Sequence, residues 1–253
     1  MRARILIPAI LVVSALHAQT GIEGDITPAK ALKWLYPESS KATAKTIVAG
    51  DSYIEVYTVQ QAMVNGEPQW YLCTTAVPKD ERERGCHACS VMLGAAMFAR
   101  QGGRWIERAN NPELAGVGSF SMPPEKRTAQ WGKQAYGLVL HDGWVGSGVI
   151  SGFETLYGLD RGSFRIIFTL PVYYSNGASL AEDKDKFVWE ATWSFRPPAS
   201  NGIFDVVVKM KSDDRRAHTV AARERGEGAP EPGVYRYDGK VYRHVRTHTE
   251  LGK

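Results

Sequence analysis

Residues able to do chemistry stand close together early in the chain. Cys73, Cys86 and Cys89 are the only cysteines, and His87 lies inside the Cys86–Cys89 pair. Three is an odd number, so at least one thiol is left over unless it pairs with another molecule. Three chemistries compete for the cluster. A structural disulfide joins Cys73 to Cys86 or Cys89 and closes a loop of about fifteen residues, or joins Cys86 to Cys89 and closes almost none. A thiol–disulfide redox site uses Cys86-His87-Ala88-Cys89 as a C-x-x-C motif, which needs a following helix to lower the first thiol's pKa. A metal site takes three sulfurs and one nitrogen from Cys73, Cys86, His87 and Cys89, the donor number of tetrahedral zinc, and Met92 and Met97 nearby are soft ligands for copper(I).

The disulfide is the preferred reading. The run after Cys89 reads as a strand turning at Gly102-Gly103 into Arg104-Trp105-Ile106, so the helix that a redox motif needs is missing. Adjacent ligands such as Cys86 and His87 rarely face one ion on an extended chain, and a second C-x-x-C is absent. Covalent haem requires histidine after the second cysteine, where Ser90 stands.

The other candidates have blander readings. His141-Asp142 with Ser147 and Ser151 invites a hydrolase, but Gly146-Ser147-Gly148 is not the G-x-S-x-G elbow. Ala135 to His141 reads as a strand and Asp142-Gly143 as its hairpin turn, which makes His141 a histidine at a sheet's rim. His244 and His248 are spaced i, i+4 without the helical H-E-x-x-H context. Glu182, Asp183 and Asp185 offer oxygens to calcium, but not at EF-hand spacing, and Lys184 and Lys186 intervene. The glycine-rich stretch Gly143 to Gly152 lies between strand-like segments and reads as a hairpin or a site of close backbone approach.

The elements around these residues are mostly strands. Thr27 caps a two-turn helix from Pro28 to Tyr36, and then the hydrophobic period changes to two. Tyr53 to Thr58 and Trp70 to Val77 flank an Asn65-Gly66 turn. Further sheet faces are Phe164/Ile166/Phe168/Leu170, then Phe187/Trp189/Ala191/Trp193/Phe195, then Phe204/Val206/Val208/Met210. Asp238-Gly239 reads as a two-residue hairpin placing Tyr235 opposite Tyr242. The expected fold is mainly β: an antiparallel sheet, sandwich- or barrel-like, with many hairpins and one short N-terminal helix.

Composition and leader bound the function. Arg2 and Arg4, the apolar run Ile5 to Leu16 and Ala18 have the layout of a secretory signal peptide over residues 1–18. That run is too short to cross a bilayer, where about 20 residues are needed. Residues 19–253 are then expected to form a single exported domain, periplasmic or secreted, with a flexible loop at 223–233. Of 31 Lys and Arg, two leave with the leader, so the mature charge is 29 − 27 = +2. No one-sign stripe suited to nucleic acid is present, and the charge signs alternate along the C-terminal end. The expected function is a non-catalytic binding or interaction module for a protein or small-molecule ligand. The alternative is a zinc- or copper-binding or redox protein centred on Cys73, Cys86, His87 and Cys89.

Overall fold

The computed structural model describes residues 21–40, 43–80, 89–179, 186–197, 202–212, 214–219 and 228–245. The leader, Cys86, His87, the acids at 182–185 and His248 lie outside the described residues, as do residues 223–227 of the 223–233 loop.

Two antiparallel sheets make up the fold, as the period-two patterns predict. The first has six strands: β1 (Ile22–Glu23), β2 (Thr46–Ala49), β3 (Ser52–Val64), β4 (Glu67–Pro78), β5 (Val91–Gln101) and β6 (Arg104–Val117), in the order β1-β6-β5-β4-β3-β2. The second has eight strands, each beside its neighbour in sequence: β7 (Glu125–Gly132), β8 (Ala135–Gly146), β9 (Val149–Asp160), β10 (Ser163–Ser175), β11 (Val188–Arg196), β12 (Asp205–Ser212), β13 (Gly233–Tyr237) and β14 (Tyr242–His244). The run after Cys89 is strand β5, and Gly102 and Gly103 make the left-handed turn into β6.

Alternation assigns the faces. On one face of the first sheet, Trp70, Leu72 and Phe98 bury against helix α1 (Pro28–Leu35), whose Ala31 and Leu32 are fully buried. Thr27 caps that helix as expected, its hydroxyl accepting from the Lys30 amide at 3.3 Å. On the other face, Tyr57, Leu93 and Val117 meet Leu138, Leu140 and Tyr157 of the second sheet. Tyr71 and Met97 meet Tyr136, Leu159 and Phe164 in the same interface. The far face of the second sheet curls into a half-barrel around its own core of Trp131, Leu156, Ile167, Trp189 and Val206. Trp131 packs edge-on to Tyr237 at 5.6 Å, and Gly132 bridges to Ile203, which brings β7 against the end of the same sheet. Each such fully buried large side chain contributes roughly 1.5–3 kcal/mol.

Three local expectations need correction. The β10 face is broken by a bulge between Ile166 and Phe168. Ile167 and Phe168 are both buried in the half-barrel core while Ile166 is exposed, because an extra residue reverses the alternation. The last hairpin pairs Tyr237 with Tyr242, and Tyr235 with His244. Its loop runs from Asp238 to Val241 because the Asp238 carboxylate accepts the Lys240 and Val241 amides at 2.8 and 2.9 Å, forming a wider side-chain-stabilised turn. Asp142-Gly143 is not a turn: β8 runs on to Gly146, and the chain reverses at Ser147-Gly148, both with positive φ.

Candidate functional site

The extra length of β8 and β9 creates the site. Alternate residues share a sheet face, so His141 and Gly143 continue the inner row begun by buried Val139, and Glu154 and Gly152 continue that of Leu156. On β7, Arg127 continues the row of Ala129 and Trp131 in the same way. Here the half-barrel is no longer filled by its core and opens into a cleft of about 960 Å³. Trp193, Glu190 and Lys211 form its far wall, and the chain between β6 and β7 forms one lip.

Paired Gly143 and Gly152 leave the floor low. A Cβ on Gly143 would lie 2.5 Å from the Ser151 carbonyl oxygen, so a side chain there has no room. The sequence marks this stretch as one of close backbone approach, and that reading holds.

The floor carries an ionic cluster. Arg127 Nη2 donates to Glu154 Oε2 at 2.9 Å, and His141 Nδ1 lies 3.7 Å from Glu154 Oε1. The Glu154 side chain is only 20% exposed, against about half for its two partners, so it sits lowest in the group. The Arg127 guanidinium also stacks on Trp193, 4.6 Å from the ring centre. On the wall, Lys211 Nζ donates to Glu190 Oε1 at 2.6 Å. Asp142 accepts the Gly118 amide at 2.7 Å and the Gly143 amide at 2.8 Å. Among the described residues no hydroxyl or thiol hydrogen-bonds to His141, so the histidine and carboxylate stand side by side without a nucleophile between them.

The lip between β6 and β7 is strained. Gly118, Phe120 and Ser121 all have positive φ, and a Cβ on Gly118 would lie 2.0 Å from the Met122 carbonyl oxygen. Left-handed non-glycine residues cost of order 1–3 kcal/mol each and persist where the surroundings hold them. Here Asp142 holds Gly118, Ser119 bridges to Met122, and the Ser121 amide donates to the Cys89 carbonyl at 2.7 Å. Trp144, half exposed, and Val145, near the end of β8, also line the opening.

The cysteines separate. Cys73 is a free thiol, which removes it from the expected bridge. It pairs across the sheet with Ala95, four residues before which stands Val91, about 13 Å along the strand, with Cys89 further out. A disulfide needs Cα atoms within about 7 Å, and one zinc ion needs its sulfurs closer still. Cys73 therefore belongs neither to a staple nor to a zinc or copper site with Cys89, and among the described residues no group of three or more metal-ligating side chains converges. Burial between the sheets pushes its thiol up to about 12, opposed by the nearby Lys126 cation. Lys126 donates to the Tyr57 carbonyl at 2.5 Å and lies 3.8 Å over the Tyr57 ring, while Tyr57 donates to the Pro124 carbonyl. Burial, with smaller contributions from Cys73 and Asp142, pushes the Tyr57 phenol up to about 12.

Sequence reading singled out His141 and Asp142 but placed them at a rim. Arg127, Glu154 and Trp144 went unmarked, and Trp193 counted only as part of a sheet face, because a charged or aromatic residue in a strand is ordinary until its surroundings are known. His244 Nε2 lies 3.2 Å from the Pro232 carbonyl and its Nδ1 3.2 Å from the Glu231 carboxylate, and among the described residues it joins no group of three or more metal-ligating side chains. No protein-family model matches the chain, and no curated protein or solved structure shows significant similarity to it. Fold and site together define a two-sheet β protein with a ligand-sized cleft at the mouth of a half-barrel.

Proposed function

We propose that this protein is a non-catalytic binding module, exported to the periplasm or beyond the cell, that holds its ligand in the half-barrel cleft. The carrying observation is the change of residue type along one sheet face. Where β7, β8 and β9 leave the core, the row turns from apolar to Arg127, His141 and Glu154 without the strands ending. A concave, part-aromatic opening with a few convergent polar groups is the usual form of a ligand site. No described helix is long and apolar enough to cross a membrane.

In the same proposal Cys86 and Cys89 form a short structural disulfide. Cys73 is free, and Cys86 and Cys89, three residues apart, are the remaining two cysteines. The staple then fixes the carbonyl that supports Ser121 on the cleft lip, a role suited to an oxidising compartment.

The test is a thermal-shift and tryptophan-fluorescence screen of the mature protein against polar and apolar small molecules, repeated with Trp144→Ala. A ligand that stabilises the native protein, loses its effect in the variant and is recovered chemically unchanged is the expected result. Conversion of the bound compound to product would overturn the non-catalytic assignment.

A further inference from the structure

We infer that the ligand is a neutral, hydroxyl-rich chain, an oligosaccharide, lying along the cleft; this rests on the binding reading above and names its ligand class. The first argument is charge. Arg127 is paired with Glu154, which His141 also approaches, Lys211 is paired with Glu190, and both carboxylate oxygens of Asp142 accept backbone amides. Among the described residues both cations lining the cleft, Arg127 and Lys211, are already paired with carboxylates, so an anionic ligand would have to break a pair already made. A neutral polyol does not. Arg127 uses one nitrogen toward Glu154 and keeps other N–H donors, and the carboxylates keep spare lone pairs, which suit hydroxyl groups that both donate and accept.

The second argument is the aromatic surface. Trp144, 50% exposed near the end of β8, and Trp193, under Arg127, both line the cleft. A sugar ring has an apolar C–H face and a polar hydroxyl rim. Such a ring covers an exposed indole while its rim reaches polar side chains beside it. The volume of about 960 Å³ lies at the upper end of the range for ligand sites, with room for several rings.

The same features disfavour the other classes. An acyl chain would bury the Arg127–Glu154 pair under hydrocarbon, at the cost of desolvating both charges. A nucleic acid or other polyanion would meet Asp142, Glu154 and Glu190, and among the described residues both lining cations are already paired. A peptide adding as a strand would find β8 and β9 paired on both sides and could reach only the outer edge of β7, which starts opposite His141, short of the Gly143–Gly152 floor.

The experiment uses the mature full-length protein and isothermal titration with maltohexaose, cellohexaose and chitohexaose as neutral probes. Hexagalacturonate serves as the anionic probe and dodecanoate as the apolar one. At least one neutral hexasaccharide is expected to bind, more weakly when shortened to its trisaccharide, with little dependence on ionic strength. Trp144→Ala is expected to weaken that binding about tenfold or more while leaving the melting temperature unchanged, since the side chain is half exposed. If all three neutral hexasaccharides fail to bind, or bind equally well to Trp144→Ala, the oligosaccharide assignment is overturned. If hexagalacturonate or dodecanoate alone binds in a Trp144-dependent way, the assignment is overturned and the binding-module reading stands. If a neutral hexasaccharide binds and is cleaved, the ligand class stands and the non-catalytic reading falls.

Discussion

The inner face of the eight-stranded sheet is two surfaces built on the same strands. Toward one end Trp131, Val139 and Leu156 seal the half-barrel, each at most 1% exposed. One or two pleat repeats further along the same three strands stand Arg127, His141 and Glu154, and the space above them is open. The backbone ladder is continuous between the two, so the difference is one of side-chain duty. The filled end excludes water and carries stability. That leaves the other end free to keep charges that a packed core would not tolerate.

Substitutions at the two ends should therefore differ most in their effect on folding. Trp189→Ala, in the filled region, is expected to destabilise the protein by about 3–5 kcal/mol, the usual cost of emptying a large core site. Glu154→Gln, in the cleft, is expected to change stability by no more than about 1 kcal/mol, because its partners are half exposed and well solvated. Urea denaturation of both variants measures the contrast, and equal losses would erase the distinction drawn here.

The two glycine turns at the ends of β6 sharpen it at the cleft lip. Both Gly102 and Gly118 have positive φ, but Gly102 faces open space and Gly118 lies against the Met122 carbonyl. Gly102→Ala is expected to cost about 1 kcal/mol from the left-handed backbone alone. Gly118→Ala adds an overlap that only movement of the lip can relieve, raising the cost to about 3 kcal/mol. Denaturation midpoints measure the difference. The Gly118 variant, and not the Gly102 variant, is expected to alter ligand binding as well.

A smaller effect separates the thiols. Cys73 in the folded protein holds its proton to about 12, whereas an unfolded cysteine releases it near 8.5 to 9. The unfolded state then binds fewer protons above that lower value, so stability is complete below about pH 9 and falls as pH rises through 12. One proton gives a slope of about 1.4 kcal/mol per pH unit. Tyr57 and Tyr71, also pushed up to about 12 mainly by burial, add to the loss only once pH passes their ordinary value of 10. Stability measured between pH 9 and 10 is thus expected to fall in the native protein and to stay level in Cys73→Ala. An unchanged slope in the variant would show that Cys73 is not the group that titrates.

Much of the fold was legible because it rests on local rules. Thr27 and Pro28 set the start of α1, Asn65-Gly66 the β3–β4 hairpin, and Trp189 and Ala191 the buried face of β11; each follows from a cap, a turn type or an alternation within a few residues. The misreadings share a cause. At Asp142-Gly143 a strong turn dipeptide sits mid-strand, because Gly143 opposite Gly152 is required by close approach. At Ile166–Phe168 a single extra residue flips the faces, and nothing in the residue types announces it. At Asp238 the side chain captures two amides and lengthens the loop.

The sequence by itself determined that this chain makes antiparallel sheets with one short helix, because hydrophobic period, capping and turn chemistry act over short stretches that the residues themselves define. Only the tertiary structure decided which cysteines can meet and which polar residues make a site. Both depend on strand register, sheet curvature and the distance between segments far apart in the chain. Cys73 is carried into the space between the sheets, Cys89 is left beside the cleft lip, and Arg127, Glu154 and Trp193 come together across β7 to β11 because the second sheet curls over its own core.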